Sequence, residues 1–120
     1  MAVEVPELLV PNVNEWRSWL ADHHGSEAGV RLVVAKKGFT EPTSVTYAAA
    51  LEEALCYGWI DGIIGRRDER TYYQRFSPRR PKSSWTSGNV ELAERLIAEG
   101  RMQAAGAAAY QRGLGQKAVK

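Results

Sequence analysis

Cysteine is nearly absent from this sequence, since Cys56 is the only one among 120 residues. A single cysteine excludes an internal disulfide framework and is typical of a reducing compartment, so we expect a cytoplasmic protein. Long hydrophobic runs are missing as well, because none approaches the roughly eighteen residues that a membrane span needs. Residues 1–6 also lack the basic and apolar regions of a signal peptide. The sequence therefore predicts a protein without a membrane partner.

Histidine is almost as scarce, and its two copies, His23 and His24, are adjacent at the end of a predicted helix. We expect them to cap that helix or to face solvent. A catalytic nucleophile needs an oriented histidine beside it, and zinc sites repeat histidine or cysteine at fixed spacing. The sequence has neither pattern, so we expect no metal and no cofactor. Cys56 lies in the last turn of an apolar helix, where we predict a buried and unreactive thiol.

A large surplus of either charge is also absent, because 16 Lys and Arg residues stand against 14 Asp and Glu residues. Their distribution is uneven, however, since residues 66–82 contain seven basic side chains and only two acids, Asp68 and Glu69. The basic residues are Arg66, Arg67, Arg70, Arg75, Arg79, Arg80 and Lys82. We expect a partner that is recognised by charge to bind this segment.

The sequence does have the composition of a globular domain, with 44% hydrophobic and 25% charged residues. Its patterns predict strands over residues 7–10, 29–36, 59–65 and 71–77, and helices that end near residues 24, 58, 99 and 112. This order predicts a small single α+β domain over residues 1–112, with a mostly antiparallel sheet, a central β-hairpin and about four helices. The second helix is expected to bury Tyr47 and to expose Glu52 and Glu53. Glycines at 113 and 115 predict a flexible tail over residues 113–120.

The predicted hairpin has a definite register. If Gly65 lies opposite Thr71, then Asp61 lies opposite Arg75, on a face that also carries Trp59 and Tyr73. One interpretation is an exposed cross-strand ion pair worth at most about 1 kcal/mol. The other is that the carboxylate holds the guanidinium for an anionic or planar ligand, with the aromatic rings as walls. The residues alone leave both interpretations open.

The segment after the hairpin runs into the start of the third predicted helix, where free backbone N–H groups favour an anion. Arg79, Arg80 and Lys82 precede that helix, and Trp85 lies just before its cap. Arginine forks bind phosphate or carboxylate oxygens in pairs, so this segment is a second candidate anion site. The alternative is a rigid, solvated connection in which Trp85 fills the core. Lys36, at the end of a predicted strand, is a candidate border of the same basic surface.

Four collinear segments carry a resemblance to a known family. They are AKKG at 35–38, EEALCYGWIDG at 52–62, QRFSPRRPKS at 74–83 and ERLIAEGRM at 94–102. In these segments the sequence resembles the bacteriocin-protection, YdeI/OmpD-associated family of small bacterial proteins. The resemblance implies a link to protection against toxic compounds or to the cell envelope, without catalytic residues to assign. Members of that family usually continue into a further C-terminal segment, which we do not expect here after residue 110.

These observations lead to three hypotheses about function. The leading one is a non-enzymatic domain that binds an anionic or aromatic small ligand, with a role in resistance to a toxic compound. Its predicted ligand-binding residues are Trp59, Asp61, Tyr73, Arg75, Arg79, Arg80, Lys82 and Trp85. The second is nucleic-acid binding, in which the stacking residues would be Tyr72, Tyr73, Phe76 and Trp85. The third is an enzyme with Asp61 as general base, which lacks an obvious acid or nucleophile beside it.

Overall fold

The computed structural model describes residues 5–80 and 85–118. Within these ranges it confirms the predicted α+β fold, with four helices and a four-stranded sheet. The strands are β1 (Glu7–Leu8), β2 (Val30–Ala35), β3 (Trp59–Arg66) and β4 (Thr71–Pro78). The helices are α1 (Val13–His23), α2 (Tyr47–Cys56), α3 (Ser87–Ala98) and α4 (Ala104–Ala118). None of the helices in these ranges combines the length and apolarity that crossing a bilayer requires.

Capping side chains mark the start of three of the helices. Asn12 before α1, Thr46 before α2 and Thr86 before α3 each accept a hydrogen bond from the backbone N–H three residues further on. Each bond satisfies one N–H group that a helix leaves without an internal partner at its start.

The last helix extends beyond its predicted end at residue 112 and reaches Ala118. Gly113, which we assigned to the tail, lies inside the helix against the indole of Trp85. A Cβ atom at position 113 would overlap with the Trp85 ring. Glycine is therefore needed at this position because the Trp85 ring approaches the helix closely, and it does not end the helix.

The sheet has the strand order β1-β2-β4-β3. β1 and β2 are parallel, whereas the β2–β4 and β4–β3 pairs are antiparallel, so the prediction of a mostly antiparallel sheet is confirmed. The hairpin is central only in part, because β4 lies inside the sheet while β3 forms an edge. One long side of β3 thus has no neighbouring strand within the described sheet.

Apolar side chains on one side of the sheet pack against the helices, and we call this side the helix face. Val30, Leu32 and Val34 of β2 are fully buried there. They share one core with Trp16 of α1 and Phe76 of β4, whose ring centres are 5.4 Å apart. Because side chains alternate along a strand, the intervening residues of β2 and β4 point to the opposite face.

The register of the hairpin differs from the prediction. Asp61 lies opposite Phe76, so the predicted pair of Asp61 with Arg75 is wrong. A bulge follows Asp61, and the side-chain amide of Gln74 donates a hydrogen bond of 2.8 Å to Gly62 O inside it. A shift by one residue moves side chains to the other face of a sheet, and a bulge produces such a shift. The sequence offers glycine at both 62 and 65 and therefore does not select the position of the bulge.

The turn between β3 and β4 is organised by Asp68. Its Oδ1 atom accepts hydrogen bonds from the backbone N–H groups of Arg70 and Thr71, at 2.9 and 2.8 Å, and from the Thr71 hydroxyl. The bond from the Thr71 hydroxyl is the largest of the causes that hold the pKa of Asp68 below its usual value. The charged loop of the predicted hairpin is thus an ordered turn.

Charged side chains join α2 to α3 and to the segment that follows α3. Arg101 donates hydrogen bonds to Glu52 Oε1 at 2.8 Å and to Glu53 Oε2 at 2.7 Å. Arg95 donates to the second oxygen of Glu52 at 2.8 Å and to Glu99 at 3.0 Å. The expectation that both glutamates of α2 face solvent is wrong for Glu53, which is buried in this network.

Candidate functional site

The predicted ligand-binding residues of the hairpin lie on two different faces of the sheet. Asp61 lies on the helix face, because it pairs with Phe76, which is part of the core. Tyr73 and Arg75 are an odd number of steps from Phe76 along β4, so they point to the opposite face. The structure therefore does not bring these side chains into one pocket.

Tyr73 and Arg75 lie on the opposite face of the sheet, in a cluster of three arginines around one tyrosine. We call this cluster the basic patch. Arg31 lies opposite Arg75 in the sheet, and its guanidinium is 4.8 Å from the centre of the Tyr73 ring. Arg67 approaches the same ring to 6.0 Å, and the Tyr73 hydroxyl donates a hydrogen bond of 2.6 Å to Glu7. These guanidinium groups occupy the ring that the nucleic-acid hypothesis needs for stacking on a base.

Trp59 and Arg79 are nearly inaccessible to solvent. Trp59 is 1% exposed, and its indole N–H donates a hydrogen bond of 3.1 Å to His24 O, so this ring is part of the core. Arg79 is 7% exposed, and its guanidinium lies 3.8 Å from the centre of the Trp85 ring. Burial lowers the pKa of Arg79 to about 10, although the charge of Asp61 acts in the opposite direction.

Trp85 packs against other side chains, as in the interpretation in which this residue fills the core. Its ring meets Tyr110 of α4 edge-on, with the ring centres 5.7 Å apart, and it also lies against Gly113. Arg80 is exposed, and Lys82 lies outside the described residues. The structure thus describes Arg79 and Arg80 from the basic segment that precedes α3.

A groove of about 660 Å³ lies on the helix face, where α2 begins beside the hairpin. We call it the hairpin groove. Its lining residues are Lys36, Tyr47, Asp61, Gly62, Ile64, Gly65, Arg66, Tyr72 and Gln74. The volume lies within the range of cavities that bind small organic molecules. Of the seven predicted ligand-site residues that the structure describes, Asp61 is the one that lines this groove.

A hydrogen-bonded pair forms one end of the hairpin groove. The hydroxyl of Tyr47 donates a hydrogen bond of 2.7 Å to Asp61 Oδ2. Partial desolvation of the phenol, followed by this bond, raises the pKa of Tyr47 to about 12, so the phenol stays protonated at neutral pH and continues to donate. The other oxygen of Asp61 accepts no hydrogen bond from a described residue. It is therefore available to a donor on a ligand.

Aromatic and apolar side chains form the walls of the hairpin groove. Ile64 is 68% exposed, and Tyr72 is partly buried beside it, with a pKa that burial raises. The prediction that Tyr47 is buried on α2 is wrong, because this residue lies in the first turn of the helix and remains exposed at the groove. The three side chains offer apolar surface to a ring of a bound molecule.

Two cations line the groove towards the turn of the hairpin. Arg66 ends β3, and Lys36 follows β2 with its backbone N–H bonded to Arg70 O at 2.8 Å. Both side chains line the groove. That Lys36 borders the surface of Arg79 and Arg80 stays a prediction. Asp61 and Arg66 are five residues apart on β3, roughly 15 Å in an extended strand. The hairpin groove thus has an acid at one end and two cations at the other.

Sequence reasoning did not assign Tyr47, Ile64 or Gln74 to a site. Tyr47 directly follows the helix cap, which places it in the first turn but says nothing about the hairpin. The pair Ile63–Ile64 was the one available signal, because two adjacent apolar residues interrupt the alternation of a strand at a bulge. Recognition of that interruption would have moved the second isoleucine to the helix face.

A family model matches residues 8–109, and its description is Domain of unknown function (DUF8412). The chain belongs to the DUF8412 family. The matched part of this DUF8412 domain contains the whole hairpin groove, from Lys36 to Gln74. No curated protein and no solved structure matches the chain. The relation to the YdeI/OmpD-associated family stays a prediction.

Proposed function

We propose that this DUF8412 domain is a non-enzymatic binding domain for a small aromatic molecule that carries an anionic group. The observation that carries the proposal is the hairpin groove, which places tyrosine and isoleucine side chains between one carboxylate and two cations. Small-molecule sites typically combine apolar walls with a few polar groups that fix the orientation of the ligand. The groove has both features.

The charges of the groove favour one orientation of the ligand. An anionic group is attracted by Lys36 and Arg66 and repelled by Asp61, so it belongs at the end near the turn. A hydroxyl, amine or amide N–H at the other end of the ligand would donate to the free oxygen of Asp61. The ring between them would cover Tyr72 and Ile64. This burial would favour binding by about 25 cal/mol for each Å² of apolar surface removed from water. The ligand class is therefore an aromatic acid with a hydrogen-bond donor at its far end.

Binding is favoured over catalysis by the surroundings of Asp61. A general base needs a partner that moves a proton or attacks the substrate. The side chain bonded to Asp61 is Tyr47, whose pKa of about 12 makes it a hydrogen-bond donor and not a proton carrier at neutral pH. We propose sequestration of a toxic compound in the cytoplasm as the physiological role, in line with the single cysteine and the resemblance to the bacteriocin-protection family.

Nucleic-acid binding is the second candidate, and the basic patch favours it. Arg31, Arg67 and Arg75 form a cationic surface that suits a phosphate backbone. Two of the predicted stacking residues do not share that surface, however, because Phe76 is fully buried and Tyr72 points to the helix face. Tyr73 lies on it, but arginine side chains already approach its ring. We therefore rank this function below binding of a small ligand.

The test is a fluorescence titration with 8-anilinonaphthalene-1-sulfonate, an aromatic anion. Lys36→Ala and Arg66→Ala each remove one cation from the groove, and Lys37→Ala removes the same charge from a neighbouring position that does not line it. We expect the first two variants to raise Kd about two- to fivefold, since one charge contact at a partly exposed site is worth up to about 1 kcal/mol. Lys37→Ala should leave Kd unchanged.

A competition experiment completes this test. Unlabelled 2-naphthoate should displace the probe from the wild-type protein, whereas neutral 2-naphthalenemethanol should displace it much less. An equal rise of Kd in all three lysine and arginine variants would indicate a general charge effect and would contradict a site in the groove. Equal displacement by the acid and the alcohol would contradict the assignment of an anionic ligand.

A further inference from the structure

A second concave site lies where α4 packs against the junction of α2 and β3. Its volume is about 330 Å³. Its lining residues are His24, Gly25, Tyr57, Gly58, Trp59, Pro78, Arg79, Ala105, Ala108 and Arg112. We call this site the basic cleft. It shares no lining residue with the hairpin groove, so a ligand of the cleft is independent of the function proposed for the groove.

The charged side chains that line the basic cleft are two arginines, Arg79 and Arg112, and His24 adds an imidazole. None of the described lining residues is acidic. Arg79 is nearly buried, its guanidinium is held against the face of Trp85, and the charge of Asp61 also acts on it. An anion in the cleft would be attracted by the guanidinium groups of both arginines.

Backbone contacts hold the walls of the basic cleft in place. Gly58 has a φ angle of +79°, and a Cβ atom there would lie 2.9 Å from Ala105 O, so glycine is required for the close approach of α4. The backbone N–H of Arg79 donates to Gly58 O at 2.9 Å, and the indole of Trp59 donates to His24 O at 3.1 Å. These bonds tie the ends of α1 and β4 to the α2–β3 junction. A cleft that is already formed lowers the free-energy cost of binding.

His24 lines the cleft, and one of its two ring nitrogens is not used in its hydrogen bond to α1. Its Nδ1–H donates a hydrogen bond of 2.8 Å to a carbonyl of α1, which confirms the predicted capping role and leaves Nε2 outside that bond. The ring packs against Tyr57, with the centres 5.1 Å apart. Ala105 and Ala108 add short side chains on the α4 wall, which leaves space beside Arg112 for an organic group.

We propose that the basic cleft binds a small phosphate monoester. A phosphate group carries a charge of about −1.5 to −2 at neutral pH and has three terminal oxygens, which match two arginine forks and one imidazole. The organic part of the ester would contact Tyr57 and the two alanines of α4. The volume suits a molecule of the size of a phosphorylated sugar or amino acid, since it lies near the lower limit of small-molecule cavities.

Isothermal titration calorimetry with glycerol 2-phosphate at constant ionic strength tests this proposal on the full chain. Arg112→Gln removes an exposed cation from the cleft, and Ala108→Asp adds an acid to its exposed wall. We expect the first variant to raise Kd about tenfold, the effect of losing one charge-assisted hydrogen bond, and the second to abolish binding. Two controls with matched charge changes, Arg66→Gln in the hairpin groove and Gln111→Asp on α4 outside the lining, should bind as the wild type does.

The localisation of the ligand is read from amide chemical shifts, which we expect to move at Gly25, Gly58 and Ala108 when glycerol 2-phosphate is added. Equal Kd values for wild type and Arg112→Gln would overturn the proposal, and so would equal heats from glycerol 2-phosphate and sodium chloride. Binding of succinate as tight as that of glycerol 2-phosphate would overturn the assignment of a phosphate group. Arg66→Gln separates the two sites, because Arg66 lines the hairpin groove and does not line the basic cleft.

Discussion

At the scale of single residues, two tyrosines of the hairpin groove differ in one contact. Tyr47 donates a hydrogen bond to Asp61, whereas the hydroxyl of Tyr72 has no hydrogen-bond partner among the described residues. Both rings line the same groove. Removal of each hydroxyl therefore separates the effect of the hydrogen bond from the effect of the ring.

We expect Tyr47→Phe to lower the free energy of unfolding at pH 8 by about 1–2 kcal/mol, because a hydrogen bond to a carboxylate is stronger than a neutral one. Tyr72→Phe removes the same atom without a bond and should change the free energy of unfolding by less than about 0.5 kcal/mol. Urea unfolding of the two variants and the wild type measures both values. Equal effects would contradict the bond between Tyr47 and Asp61.

The pH dependence of this effect has a definite sign. Folding raises the pKa of Tyr47 from 10.0 to about 12, so the folded state holds the phenol proton more tightly than the unfolded state does. The stabilisation is complete below about pH 10 and is lost as the pH rises towards 12. The difference in unfolding free energy between wild type and Tyr47→Phe should therefore be clearly smaller at pH 11 than at pH 8. A difference that is the same at both pH values would contradict the raised pKa.

Cys56 supplies a second prediction at this scale. The residue is buried at the end of α2, and burial, followed by the charge of Glu53, raises the pKa of its thiol to about 11. The thiolate is the reactive form, and at pH 8 a free cysteine of pKa about 8.5 has roughly two hundred times more of it. We expect dithionitrobenzoate to label the native protein at least about a hundredfold more slowly than the protein in urea. Rapid native labelling would instead point to a reactive thiol.

At the scale of elements, signals close together in the chain predicted the structure best. A cap such as Thr46 or Thr86 acts on an N–H group three residues away, so its effect can be read from neighbouring residues. The register of the hairpin depends on a bond between Gln74 and Gly62, twelve residues apart, and on which of two glycines lies in the bulge. Several registers satisfy the local pattern equally, so the sequence did not predict which residue faces Asp61.

The candidate site was predictable to the same limited extent. Asp61 was assigned to a ligand site from its position among aromatic and basic residues, and it does line the hairpin groove. The partner of its carboxylate is Tyr47 on another element, not Arg75 on the neighbouring strand. Packing of α2 against the hairpin creates that contact, and no spacing along the chain encodes it. Charge patterns thus located basic residues but did not show which face each one occupies.

The network between α2 and the segment after α3 supplies the prediction at this scale. Arg101 is bonded to the buried carboxylate of Glu53, whereas Arg95 joins Glu52 and Glu99 at the surface. Arg101→Ala should lower the free energy of unfolding by about 3 kcal/mol, because it leaves a buried charge without its main partner. Arg95→Ala removes the same charge from an exposed position and should have a much smaller effect.

Urea unfolding measures both arginine variants. The matched double variant Arg101→Met with Glu53→Gln should recover part of the lost stability, since it removes the isolated charge as well. Equal destabilisation by Arg101→Ala and Arg95→Ala would contradict the special role of the buried pair.

At the scale of the whole molecule, the described basic residues of the hairpin and its flanks do not share one surface. Arg66 and Arg75 line one pocket beside the basic patch, and Arg66 also lines the hairpin groove, whereas Arg79 lines the basic cleft. A single nucleic-acid backbone follows one surface and meets only part of these charges at once. The described basic residues of the segment 66–82 therefore do not form one strongly cationic face.

We therefore expect weak binding of a labelled single-stranded oligonucleotide. Each phosphate contact contributes about −0.7 to the slope of log K against log salt, and about three contacts on the basic patch give a slope no steeper than about −2. Arg75→Gln should flatten this slope, and Arg112→Gln, in the basic cleft, should not. A fluorescence titration at several salt concentrations measures the slope. Submicromolar affinity with a slope steeper than about −3 would favour nucleic-acid binding as the function.

The bulge in β3 has a consequence for the colloidal behaviour of the protein. Ile63 and Ile64 are 78% and 68% exposed on an edge strand, and a regular edge of this kind is a template for fibril growth from further copies. The bulge interrupts the row of N–H and C=O groups that a further strand would need, and Gln74 holds the bulge in place. The Gln74→Leu variant should therefore aggregate during storage well below its melting temperature, as measured by light scattering and thioflavin T binding. The double variant Gln74→Leu with Ile63→Lys should stay clear. A solution of Gln74→Leu that stays as clear as that of the wild type would show that the edge is protected in another way.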